Sequence, residues 1–259
     1  MATIDTLALK LVLTPALVGI ASLAGRRWGP AVGGWLVGLP FTSAPVAFFL
    51  ALSYGPAFAA AAAVGTLAGT ISQTAFCLAY GWLAWRGWPV AVLAGCLAFG
   101  FSTVALQHVS LSSAPLFLIV IAALFVALHL MPGRSETSSP AAEPPPGWDI
   151  PARMVVATAI VLLLTGIAPQ LGPHLTGLLT PFPVYAAILT VFAHQLQGPV
   201  AAASVLRGLL LGLFAFAGFF QVLALLIESV GTGPAFAAAI GVALALQGVS
   251  LWALRRNPG

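Results

Sequence analysis

From residue 5 to residue 254 the chain is a succession of apolar runs, each close to the ~20 residues a helix needs to cross the hydrocarbon core of a bilayer. Read with a helix-length window, the runs fall near 5–25, 31–53, 56–84, 88–107, 113–131, 152–170, 174–196, 199–228 and 234–254. They predict an all-α, polytopic membrane protein with nine transmembrane helices. The strands of an outer-membrane barrel would instead alternate in segments of about ten residues. Charge agrees with the helical reading, since only 5% of residues are charged, where about a quarter would be in a globular protein.

The net charge of +4 raises nucleic acid as a partner, but the nine basic residues are scattered along loop edges and form no patch. They read instead as topology signals. Arg26 and Arg27 follow the first run, Arg86 the third, Arg134 and Arg153 flank a central polar segment, and Arg255 and Arg256 follow the last. With an odd number of spans all of these fall on one face, while the opposite loops hold His108, His174 and Glu228. The expected location is the cell inner membrane, with the N-terminus outside and the C-terminus cytoplasmic. Asp5 stands where a secretory signal would carry positive charge, so residues 5–25 are read as a retained first span.

A second signal is an internal repeat. Shifting the chain by 143 residues pairs Gly29-Pro30 with Gly172-Pro173, Gly34 with Gly177, Pro40 with Pro183, and Gly55-Pro56 with Gly198-Pro199. The register continues without a gap through Gly65 with Gly208, Gly69 with Gly212 and Phe76 with Phe219. Four helices therefore correspond to four helices, with one left between them. A single connector helix inverts the second set relative to the first, the four-plus-one-plus-four plan of many secondary transporters. The expected divisions are a first repeat at 1–110, a connector helix at 111–132, a polar proline-rich cytoplasmic linker at 133–150 and an inverted second repeat at 151–259.

Two related spans carry proline inside their apolar run: Gly38-Leu39-Pro40-Phe41-Thr42-Ser43-Ala44-Pro45 and Leu179-Thr180-Pro181-Phe182-Pro183-Val184-Tyr185. Proline lacks the amide hydrogen and clashes with the carbonyl one turn back, so each span should be broken. Broken helices at matching places in two repeats point to a substrate site near the midplane. Thr42 or Ser43 would cap the new half-helix, whose free amides favour an anion or the negative end of a polar solute. Tyr185 adjoins the second break, and Arg207 lies eight residues into its span, where a buried guanidinium would attract an anion. The expected substrate-binding residues are Pro40, Thr42, Ser43, Pro183, Tyr185 and Arg207. A kinked packing helix is the plainer account of the prolines, and snorkelling to the surface the plainer account of Arg207, Lys10 and Arg153.

Gly65-x-x-x-Gly69 and Gly208-x-x-x-Gly212 predict close contact between the third and eighth spans. Carboxylates are scarce: apart from Asp5 at the very start of the first span, Glu228 is the one acid read within or at the edge of a span, so proton coupling is expected to use Glu228 or a histidine. Cys77 and Cys96 lie in apolar runs and read as small buried hydrophobes. His108, His129, His174 and His194 occupy separate segments without ligand spacing, so packed or interfacial histidines are expected and no metal. Nor does any nucleophile-and-base set or phosphate loop occur; the chain is not expected to be an enzyme or to hold a cofactor.

The stretch Gly177 to Tyr185, followed by Ala193-His194 and Gly198, resembles the small four-helix bacterial inner-membrane proteins of the GlpM type over about 50 residues of the second repeat. The resemblance implies a duplicated four-helix unit joined by a connector, and no activity. In layout alone the plan is also similar to the fused eukaryotic fluoride exporters, which use intramembrane asparagines; the one asparagine here, Asn257, lies beyond the last span. The leading expectation is a secondary transporter or facilitator for a small solute with anionic character. A non-transporting scaffold or accessory subunit of an envelope pathway is the alternative, and a small-ion channel the third. Expected partners are the lipid bilayer and the solute, with a homodimer left open and no nucleic acid.

Overall fold

Glycine turns the chain where one helix gives way to the next. In the computed structural model, which describes residues 2–40, 43–107, 111–132, 148–167 and 182–256, Gly55 and Gly198 have φ of +89° and +85°. Each is followed by a proline, Pro56 and Pro199, that opens a long helix. The left-handed glycine reverses the chain, and the proline ring supplies a helical φ where an amide hydrogen has no partner to lose. The two corners stand in the 143-residue register.

The described helices are α1 (Ala2–Trp28), α2 (Pro30–Val37), α3 (Ser43–Tyr54), α4 (Pro56–Leu83), α5 (Trp88–Leu106), α6 (Ser113–Leu130), α7 (Asp149–Ile167), α8 (Val184–Gln197), α9 (Pro199–Val230) and α10 (Thr232–Arg256). A 3₁₀ turn, Ala84–Arg86, extends α4. Among the described residues there is no strand, and five helical stretches are long and apolar enough to cross a membrane: Pro56–Arg86, α5, α6, α9 and Thr232–Leu251. Asp149 and Ile150, assigned to the linker by composition, belong to α7.

The second apolar run is broken as its proline requires. Gly38 and Leu39 donate their amides to Gly34 and Leu36 and close α2, and the carbonyl of Pro40 accepts the Ala44 amide at 2.8 Å inside the start of α3. At the second break the carbonyl of Pro183 accepts the Ala187 amide at 2.7 Å, and α8 runs on from Val184. Thr42 lies outside the described residues, as do 168–181.

Burial separates centre from rim. Of the most apolar windows of α4 and α9, 56% and 67% are buried inside the protein, against 22% for α5 and α6. Hence α4 and α9 pack on each other at the centre, with α5 against α4, α10 against α9, and α6 against both. Phe76, Tyr80, Leu206, Leu213 and Phe219 fill this core. On α5 the exposed side chains Leu93, Leu97, Phe101 and Val104 form an outer stripe, and on α6 Leu118 and Phe125 are exposed as well. A stripe of this kind is a liability in water and a natural surface against hydrocarbon. On the other flank α1 lies against α2 and α7.

The small-residue motif of α9 contacts a different helix from the one expected. A Cβ on Gly208 would collide with the Ala31 carbonyl, and one on Gly212 would come within 2.6 Å of the Trp35 carbonyl. Reciprocally, a Cβ on Gly34 would collide with the Val205 carbonyl, and one on Gly38 would lie 2.5 Å from Gly212 Cα. Gly34 and Gly38 are themselves four apart, so α2 and α9 meet backbone to backbone through two matching pairs. The expected contact between the third and eighth spans is present, but Gly208 and Gly212 are not what makes it. α4 and α9 do pack together, but the flat face of α9 is taken by α2.

Candidate functional site

The close seating of α2 on α9 leaves a cleft beside it, lined from α1, α2, α7, α8 and α9. Its volume is about 30 Å³, room for a water or two or a small ion. Two walls come from the broken runs: Gly33 and Gly34 of α2, and Leu189, Ala193 and Gln197 of α8. The glycines leave the space, and the 4-residue spacing on α8 turns one helical face into it. Polar chemistry comes from Ser22 and Arg26 of α1 and from Asp149 and Arg153 of α7.

Asp149 is the hub. Its Oδ2 accepts from Arg26 Nη2 at 3.0 Å and its Oδ1 from Arg153 Nε at 2.9 Å. The Asp149 side chain is 1% exposed and that of Arg153 9%, while Arg26 remains 32% exposed at the rim. The Arg153 guanidinium also sits 5.0 Å from the centroid of the Phe192 ring on α8, a cation–π contact. A carboxylate so deeply buried is tolerable only because charged donors meet both oxygens. Ser22 Oγ, buried in the same wall, has no hydrogen-bond partner among the described residues.

Two expectations are corrected here. Composition put Asp149 in a solvated linker and left Glu228 as the acid nearest a span, yet Asp149 is 0% exposed and Glu228 lies on the exposed end of α9. Arg153 does not snorkel, because Asp149, four residues earlier on the same helix face, gives it a buried partner. That four-residue spacing after a proline run was the signal in the sequence for both.

The expected site residues go elsewhere. Pro40 and Ser43 are buried at the break between α2 and α3, Pro183 is buried ahead of α8, and Thr42 is outside the described residues. Tyr185 packs on the small cluster of Val18, Val184 and Ile188. Arg207 donates from Nη2 to the carbonyls of Met131 and Pro132, both at 2.8 Å, at the C-terminal end of α6. A helix C-terminus offers unpaired carbonyls and partial negative charge, which draws the guanidinium there and away from the cleft. Among the described residues none of these side chains lines the cleft. The cleft takes its lining from the second run and from α8, through side chains other than those singled out from the sequence.

Other polar residues tie helices together. Tyr80 Oη lies 3.1 Å from His194 Nδ1, joining the ends of α4 and α8. Trp35 Nε1 donates to Ser250 Oγ at 2.8 Å, and Gln247 Nε2 to the Trp35 carbonyl at 3.0 Å, fixing α2 to α10. Thr103 donates to Ser72 at 2.9 Å between α5 and α4. Among the described residues no three His, Cys, Asp or Glu side chains gather as a metal set.

Fold and site define an all-helical protein with membrane-length apolar helices and an arginine-lined cleft between two proline-broken segments. Comparison with protein-family models, characterised proteins and solved structures finds no match to this chain.

Proposed function

We propose that the chain is a secondary transporter or facilitator that moves a small anionic solute across the inner membrane, with the solute entering at the Arg26–Asp149–Arg153 cleft. The single observation that carries this reading is the position of the cleft, between half-helices α2 and α8 of the two broken runs. An inverted four-plus-one-plus-four arrangement is part of the proposal. It draws support from the in-register Gly-Pro corners and from recurring packing: α4 lies on α5 as α9 lies on α10, and α3 crosses α10 as α8 crosses α5. Cations at one end of the bundle, Arg26, Arg86, Arg153 and Arg207 among them, support a cytoplasmic assignment for that end.

The test is uptake by the purified chain in proteoliposomes, using chloride, nitrate and glycerol as probes beside protein-free liposomes. The reading expects uptake of an anion above the protein-free rate, lost in Arg153→Gln and slowed in Pro40→Ala. Uptake no faster than protein-free liposomes for every probe, from protein that elutes as a single species, would contradict it. A scaffold without transport is the second reading, because the breaks themselves are packed: Gly38 rests on Gly212, and the Phe182 ring meets Phe99 edge-on at 5.1 Å.

A further inference from the structure

We propose that Asp149 is a proton-carrying group: a small monovalent anion binds in the cleft between Arg26 and Arg153 together with one proton, which goes to the Asp149 carboxylate. This deepens the transport reading and rests on it for its purpose, although the binding step stands by itself.

Competition for donors is the first argument. The N–H groups of Arg26 and Arg153 that an incoming anion would use are held by the two oxygens of Asp149, at 3.0 and 2.9 Å. An anion that enters while Asp149 stays ionised meets a second negative charge across a space of about 30 Å³. Protonation removes that repulsion, releases the two N–H donors that Asp149 holds on Arg26 and Arg153, and turns Asp149 into an O–H donor toward the anion. One negative charge leaves the cluster as the other arrives, so its total charge is unchanged, whatever else Arg26 touches. In a poorly polarisable interior this is the exchange with the smallest solvation cost.

Ser22 supplies an independent observation. Ser22 is among the residues that line the cleft and is 3% exposed, and its buried hydroxyl has no partner among the described residues. A bound anion would give that donor an acceptor.

Among the described residues that line the cleft, no other group can take the proton. Facing Asp149, α1 offers Arg26 and α7 offers Arg153, both permanently charged. α2 contributes Pro30 and glycines, α8 the uncharged Gln197, and α9 Val205. His194 of α8 is engaged with Tyr80, and Arg207 of α9 donates to the end of α6. The space of about 30 Å³ suits a small monovalent anion, a halide or a compact planar anion such as nitrate.

The test is calorimetric binding of chloride and of nitrate to the full-length protein in nanodiscs, at several pH values and in buffers of different ionisation enthalpy. The proposal expects affinity to rise about tenfold for each pH unit of acidification, with about one proton taken up per anion. Asp149→Asn should bind with no pH dependence and no proton uptake, and Arg153→Gln should lose binding while melting close to the wild type with Asp149→Asn in the same chain. Wild-type binding that is flat with pH and takes up no proton would overturn the coupling, and absence of binding by either anion would overturn the site. Should Asp149→Asn fail to fold, proton uptake by the wild type still decides. Proton-linked binding without uptake in proteoliposomes would remove the transport reading and leave this one, whereas uptake without proton linkage would do the reverse.

Discussion

Asp149 is 0% exposed at the start of α7, with Arg26 and Arg153 donating to its two oxygens. An acid after Pro144-Pro145-Pro146 looks solvated, and local composition cannot say that the C-terminal end of α1 returns beside it with Arg26. The spacing to Arg153 was visible, but an i,i+4 pair is more often an exposed helix pair worth a few tenths of a kcal/mol than a buried one. Burial changes the scale of the effect. Asp149→Ala, which leaves Arg153 buried without its carboxylate, is expected to destabilise the protein by about 3–5 kcal/mol. Asp149→Asn keeps an acceptor for one guanidinium and should cost clearly less. Thermal melting of the three proteins in one detergent checks the order; an Asp149→Ala melting temperature equal to the wild type would show that the bridge is not a structural tie.

Elements were legible where backbone chemistry alone decides them. Proline at 40 and 183, and Gly-Pro at 55–56 and 198–199, set breaks and corners through φ and a missing amide, so the sequence located them without any tertiary information. Partner choice was not legible in this way. A small-residue pair on α9 is a flat surface that any close helix could use, and the chain offers Gly34/Gly38 and Gly65/Gly69 alike. The structure seats α2 there, with Gly208 under Ala31 and Gly34 under Val205. Gly208→Ala should therefore force α2 off α9 and cost more than about 3 kcal/mol, the range of severe overpacking. Gly100→Ala on the outer face of α5, where nothing among the described residues lies within 4 Å of the added Cβ, should be neutral or stabilising by up to about 1 kcal/mol. Equal effects of the two substitutions on melting would contradict the α2–α9 contact.

At the scale of the molecule, hydropathy was enough for an all-helical membrane architecture, because unsatisfied backbone cannot remain in hydrocarbon and helices satisfy it internally. The cleft lay beyond that reach: it is assembled from α1, α2, α7, α8 and α9, and its charges come from the ends of helices and not from the proline breaks. An odd number of spans makes a definite prediction about the whole chain. An impermeant thiol reagent should label a cysteine placed at Ala2 and one at Gly259 from opposite sides of sealed vesicles; labelling of both from one side would refute the inverted arrangement.

The cleft between α2 and α8 is the proposed aqueous entrance for solute, and Gln197 lines it from the last turn of α8. The most direct measurement is labelling of Gln197→Cys by an impermeant thiol reagent in proteoliposomes, with buried Cys77 and half-buried Cys96 as the background. Labelling is expected from the side of the C-terminus only, slowed by chloride or nitrate, with loss of anion uptake once the cysteine is modified. Labelling that chloride and nitrate leave unchanged, with uptake intact after modification, would contradict that entrance.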